Sequence, residues 1–291
     1  MSENKLVLID GHALAYRQFF GLPIEGFTTK TGEPTNATFG FTGELLNIIL
    51  RKNPPKYLAV SFDVGKTFRD DWFPEYKGTR EKMPDELRLQ IERIKKVVQA
   101  FNIPILAMDG YEADDVLGTL ARIVKPMGVP VHILTGDRDL LQLVNENTTV
   151  ELPKGRFNRG PQVYDTIQSV VDKLGVRPDQ VVDYKAIVGD SSDNIPGVKG
   201  VGEKTAVKLL GQYDTLDVIY ENLEEIQARY SNKLRDHKET AYLSQKLARI
   251  VTDVPIDFEL AACEAQDFDP KPVLDIFREL EFQTHTQKLR E

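Results

Sequence analysis

The chain has 291 residues, 41% of them hydrophobic and 28% charged, which is enough apolar material for a sizeable core in one large domain or two modest ones. No apolar run approaches the ~18 residues of a membrane span, the start MSENKLVLID does not read as a signal peptide, and the single Cys263 excludes an intramolecular disulfide framework or a cysteine-based metal cluster, so a cytoplasmic protein is expected; a monomer is expected as well. The net charge of −8 argues against a nucleic-acid partner unless the acids are concentrated in one place, which makes local charge the better guide.

In chain order, four runs rich in β-branched residues each end at an acid: 5–10 (KLVLID), 57–63 (YLAVSFD), 103–109 (IPILAMD) and 131–137 (VHILTGD). Unbroken apolar runs of this length suit strands covered on both faces, as in a parallel sheet. Between them, 39–50, 84–101 and 113–124 carry apolar residues at helical spacing, the second with a Pro in its first turn and the third opening on acids. Strand and helix alternating in this way imply right-handed βαβ units. After residue 165 the pattern is helical: 165–174, 178–188, 202–210, 215–220 and 237–250, with a turn at 223–230 and a last helix at 271–280 that packs back on the sheet. The expected fold is α/β, a mostly parallel central sheet flanked by helices over 1–165, followed by an α-helical region over 166–291.

Ligands of an open parallel sheet bind outside the carboxyl ends of the strands. Asp10 and Asp63 end the first two runs there. The third leads into Glu112, Asp114 and Asp115, the fourth into Asp137 and Asp139, and GDSSDN adds Asp190 and Asp193. An Asp at a strand end is commonly just a turn former or helix cap, and Asp109 beside Gly110 reads that way. Four strands ending alike is a different matter. Like charges about 4 Å apart repel by roughly 4 kcal/mol at an effective dielectric of ~20, so such an edge needs cations or protons. Setting these nine acids aside leaves 36 acidic residues against 37 basic ones. Oxygen-only ligands favour Mg²⁺ or Mn²⁺ over Zn²⁺, and a pair of such ions serves phosphodiester hydrolysis. No P-loop is present, which turns the reading away from nucleotide hydrolysis. His12 adjoins the site and reads as structural.

A second signal is 194–210, NIPGVKGVGEKTAVKLL. Gly197, Gly200 and Gly202 leave backbone amides uncovered before a helix bearing Lys204 and Lys208, a phosphate-binding arrangement that reads no base sequence. It has the form of a helix–hairpin–helix within 190–210. Segment 64–83 interleaves Lys66, Arg69, Lys77, Arg80 and Lys82 with Phe68, Trp72, Phe73 and Tyr76, as a single-strand-binding stretch does, although four acids dilute its charge.

The strings LIDGHALAYR, FD…FR…YKGTR, DGYEADDVLGTLA, LTGDRDLLQL and YKAIVGDSSDNIPGVKGVGEKTAVKLL resemble the 5′–3′ exonuclease domain of bacterial DNA polymerase I and the flap endonuclease superfamily, in order from about residue 6 to 210. The resemblance implies a PIN/5′ nuclease-like fold and a structure-specific 5′ nuclease acting in primer removal and repair. Asp10, Asp63, Glu112, Asp114 and Asp115 are then expected at one ion, and Asp137, Asp139, Asp190 and Asp193 at a second. Arg69, Lys77 and Arg80 resemble the family's basic residues near a helical arch over the 5′ strand, and Tyr76 beside them is expected to touch DNA as well. Gly197, Lys199, Gly200, Gly202, Lys204, Thr205 and Lys208 match the duplex-binding turn, where a K⁺ ion is implied. The expected partner is DNA with a 5′ flap, nick or 5′ end, RNA-primed ends included, and a polymerase is a natural companion or fusion. The rivals are a non-catalytic DNA-structure binding module and a PIN-type ribonuclease.

Overall fold

Six strands form one sheet in the order β3-β2-β1-β4-β5-β6 in the computed structural model, which describes residues 2–153, 160–265 and 268–290. The strands are β1 (Glu3–Asp10), β2 (Pro55–Ser61), β3 (Ile105–Leu106), β4 (Val131–Leu134), β5 (Thr148–Leu152) and β6 (Gln162–Tyr164). All neighbours pair parallel except β5 and β6. The four expected strands are present, the third cut to two residues, and β5 and β6 are additions. β5 alternates buried and half-buried positions over only five residues behind a polar Asn-rich turn, too short a pattern to stand out from a loop.

Side chains of β1 alternate between two cores, as a pleated strand requires. Leu6 and Leu8 enter one, Val7 and Ile9 the other. The second core is closed by α1 (Gly11–Gly21), α2 (Asn36–Ile49), α4 (Asp85–Ala100) and, from the far end of the chain, α12 (Pro270–Glu279) and α13 (Gln283–Arg290). On the opposite face lies α5 (Ala113–Val124), with Val116, Leu117, Leu120 and Val124 buried in the first core. Each such side chain contributes roughly 1.5–3 kcal/mol by leaving water.

The later helices are α6 (Ile167–Leu174), α7 (Val181–Val188), α8 (Glu203–Tyr213), α9 (Leu216–Glu221), α10 (Ala228–Asp236) and α11 (Lys238–Ala248). They continue the α5 core without a break: Val181, Ile187, Leu210 and Ile250 belong to the same apolar cluster as Leu6 and Ile133. The change of texture near 165 therefore marks a change of element type and not a gap between two cores. The expected helix at 271–280, α12, packs back on the layer that covers the sheet, against α4, and α13 follows it against α2. Where a turn was expected at 223–230, a short 3-10 turn leads into α10.

Candidate active site

The chain runs from β1 out to β3 and then returns to β4 on the other side of β1. That reversal is a topological switch point, where an open α/β sheet leaves a crevice at its carboxyl edge. The crevice is real here: a cleft of about 1220 Å³ opens at that edge and takes in Asp10, Asp63, Glu112, Asp114, Asp137, Asp139 and Asp190. Seven of the nine expected acids thus meet in one place, from four strand ends and the loop after α7.

Local structure places each of them. Asp10 ends β1 and caps α1, Oδ1 accepting from the Ala13 amide at 3.0 Å while Oδ2 accepts from the Thr135 hydroxyl at 2.8 Å. It is both a helix cap and a cleft residue, and α1, which begins at Gly11, was missed because the strand signal ran into it. Thr135 also accepts from the Asp137 amide (2.9 Å), and the Asp137 carboxylate from the Asp139 amide (2.8 Å). Asp63 accepts from the Ala113 amide at 2.7 Å, and its own amide donates to His12 Nδ1 at 3.2 Å. Burial holds His12 below its ordinary range, and its Nδ1 accepts a bond as a neutral ring does, which fits the structural reading.

Burial is also the first cause of the carboxylate shifts. It pushes Asp10 up to about 7, against the bonds from Ala13 and Thr135, with Asp63 and Asp137 adding repulsion. It raises Asp114 well above the usual carboxylate range, where Asp137 and Asp10 repel it further. Asp114 has no hydrogen-bond or ion-pair partner among the described residues. A carboxylate crowded by others and unpaired is the condition a cation relieves.

The remaining acids already face cations. Lys185 on α7 bridges Asp139 and Asp190, at 2.5 Å from the latter, and stays protonated because the two carboxylates outweigh its burial. Burial works to raise Asp190, but Lys185 and two bonds from Ser192 prevail and bring it to about 2. Glu112 meets Lys77 Nζ at 2.5 Å and Arg69 at 3.5 Å, and Asp193 meets Arg80. Among the described residues no three acids or histidines converge as a closed metal cage. The donor set nevertheless fits a hard divalent ion: all oxygen, partly uncompensated, at a crevice mouth.

Two expected site residues stand elsewhere. Asp115 is fully buried, gripped by Arg69 through two bonds of 2.7 and 2.8 Å, and accepts from the Val251 and Glu112 amides. Arg69 is 2% exposed and its remaining donors reach the Leu247 and Arg249 carbonyls. The expectation that Arg69 touches DNA is corrected: a guanidinium with its donors spent inside the protein has none left for a phosphate. Asp115 is its counter-ion. Asp193 is buried and bonded to Tyr76, whose hydroxyl lies 3.3 Å from both Asp193 and Glu112. Tyr76 is 5% exposed, so it is a brace of the cleft and offers no stacking face.

Segment 64–83 accordingly lies down on the acids. Its short α3 (Phe68–Trp72) is held by a Thr67–Asp70 capping box, Lys246 of α11 sits 3.5 Å over the Trp72 ring, and Lys77 donates its amide to the Asp193 carbonyl. Lys77 and Arg80, expected near an arch over the 5′ strand, line the cleft. Lys185 and Thr135 were not singled out from sequence. For Lys185 a signal existed: it lies five residues before Asp190 inside the longest motif.

The glycine-rich turn is tied to the acids by backbone. Asp190 and Ile195 exchange two amide bonds of 2.8 Å, and Gly197, at φ +63, lies so close to Gly189 that a Cβ would come within 2.3 Å of the Gly189 nitrogen. Lys199, Gly200, Gly202, Lys204 and Lys208 are exposed, and Gly202 caps α8. Gly197 is buried and donates to Ser244, so it shapes the turn without facing solvent.

Residues 5–182 match the family model of the 5′-3′ exonuclease N-terminal resolvase-like domain, and 176–271 that of the 5′-3′ exonuclease C-terminal SAM fold. The chain belongs to the 5′-3′ exonuclease family. Members similar to it include DNA polymerase I of Chloroflexus aurantiacus, 48% identical over 97% of this chain, and that of Bacillus subtilis, 42% identical over 99%. The chain spans about a third of the length of these relatives, 30% and 32%. The exonuclease fold recurs in the bacteriophage T5 D15 flap endonuclease solved with DNA and metal ions (TM-score 0.67, 22% identity, 95% of this chain and 99% of that one). It recurs too in flap endonuclease-1 of Methanococcus jannaschii (TM-score 0.60, 17% identity, 99% and 94%).

Proposed function

We propose that this exonuclease-family chain hydrolyses phosphodiester bonds at DNA 5′ ends, nicks and flap bases with two divalent ions, Mg²⁺ or Mn²⁺, in primer removal and repair. The observation that carries this reading is the cleft at the switch point, where seven carboxylates meet and Asp114 is left without a protein partner. Relatives named DNA polymerase I and structural neighbours solved with DNA and divalent ions support it.

Asp10, Asp63, Glu112, Asp114, Asp137, Asp139 and Asp190 would hold the ions, which supply Lewis-acid polarisation and charge neutralisation at the phosphate. Asp193, through Tyr76 and Arg80, positions the cleft wall. Asp115 positions Glu112 by accepting its amide at 3.1 Å. Lys77, Arg80 and Lys185 offer cationic donors to substrate phosphates at the mouth, exchanging carboxylate partners for phosphate oxygens. The glycine-rich turn grips the duplex beside the cut through backbone amides and Lys199, Lys204, Thr205 and Lys208. A K⁺ ion implied at this turn meets a competitor, since Lys233 Nζ already donates to the Gly200 carbonyl at 2.9 Å.

The test is a 5′-flap duplex labelled at both ends, incubated with Mg²⁺ or with EDTA, beside Asp114→Asn and Asp137→Asn. Cuts near the flap base that need Mg²⁺ and fall at least ~100-fold in each variant are expected, as for loss of a metal ligand or its orienting partner. Tight flap binding without cutting under any divalent ion would instead make the chain a DNA-structure binding module.

A further inference from the structure

Helix α10, where the sequence reading placed only a turn, lies against the glycine-rich turn. Arg229 and Lys233 are four residues apart and share one face of it. Lys233 lies across the turn: its ammonium donates to the Gly200 carbonyl, and a Cβ on Gly200 would sit 2.6 Å from that nitrogen. The exposed Arg229 guanidinium stacks 4.4 Å over the Tyr230 ring, and Tyr230 lies against Thr205 of α8. The charges that bear on Tyr230 are those of Arg229, Lys233 and Lys208, all basic. Arg235 lies outside this group, tied to Glu224 at 2.8 Å.

We infer that α10 supplies a second row of contacts to the phosphate backbone of double-stranded nucleic acid, with the Lys233 ammonium serving as the resident cation of the turn. An ammonium has three donors, and one bond to Gly200 leaves donors for a phosphate oxygen. The guanidinium of Arg229, parked on an aromatic ring, is held ready in the same way and pays little ordering entropy when it binds. Through Tyr230 both groups lie near Thr205 and Lys208, so the row continues the face already assigned to α8. Because the cation is covalently part of the chain, duplex binding does not depend on which monovalent cation is in solution. The inference rests on the turn being the duplex grip.

The experiment is the affinity of a labelled plain duplex, in EDTA so that nothing is cut, measured against salt concentration. Lys233→Gln and Arg229→Gln are each expected to lower the slope of log Kd against log salt by about 0.9 and to weaken binding roughly tenfold at moderate salt. Arg235→Gln is the comparison on the other side of the helix, with the slope unchanged. Exchanging K⁺ for tetramethylammonium at equal concentration leaves the wild-type Kd unchanged. Slopes that stay the same in both row variants overturn the inference, as does affinity lost in Lys233→Gln at constant slope, which marks a purely structural lysine. A wild-type Kd that rises when K⁺ is removed overturns the resident-cation role. Failure of the wild-type chain to bind duplex at all would sink the reading of the turn itself.

Discussion

Arg69 shows how a residue type can be right for nucleic acid and wrong for the site. It sits in a basic, aromatic segment beside the cleft, yet its guanidinium is spent on Asp115 and two α11-end carbonyls. Removing one partner of a buried pair strands the other, at a cost of ~3–5 kcal/mol. Arg69→Met is expected to lose that much in urea unfolding. Arg69→Lys should recover only part of it, because a single ammonium cannot reproduce the bidentate bond. An unfolding midpoint unchanged in Arg69→Met would contradict the account. Asp10 makes the complementary point. Its role as helix cap and its place in the cleft are both real, since one oxygen serves each neighbour.

At the scale of elements, the link between chemistry and grip is the turn from α7 to α8. Gly189 and Gly197 take positive φ, and their backbones approach closer than any Cβ allows. Gly197→Ala combines a left-handed backbone with a contact to main-chain atoms that cannot give way. It is expected to cost about 2 kcal/mol or more in thermal unfolding and to weaken duplex binding and cutting together. Gly202→Ala, with negative φ and open space around the position, is expected to stay within about 1 kcal/mol of wild type in the same assay. Equal losses in both variants would show that the close approach is not what constrains the turn.

Across the whole molecule, the C-terminal helices close the core beneath α2 and α4. His285 is buried there, stacked 4.0 Å from the Phe39 ring and bonded to the Phe39 carbonyl at 2.8 Å. Burial is the main cause that holds its ring below the ordinary value of 6.5, and Lys288 adds to it. The unfolded chain then takes up a proton before the folded one does. This contribution to stability is complete above about pH 6.5 and is lost as pH falls from there through the lowered folded value. Urea midpoints of the wild-type chain should therefore decline over that window more steeply than those of His285→Gln; parallel declines would assign the pH effect to other groups.

Much of this protein was legible without coordinates. The parallel sheet, α5 over 113–124 and the gathering of acids at one edge follow from local pattern, because strand and helix periods and the ends of apolar runs are local properties. Seven of the expected acids do share a cleft for that reason. What needed the tertiary structure was the partner of each charge. Whether Asp115 faces a cleft or Arg69, whether Tyr76 stacks or braces, and that Lys185 bridges two acids depend on which segments meet across more than thirty positions of sequence, apart from the Lys185–Asp190 contact five residues apart. The same holds for Lys233 on Gly200. Sequence periodicity reports which way a side chain points from its own element; only packing decides what it finds there.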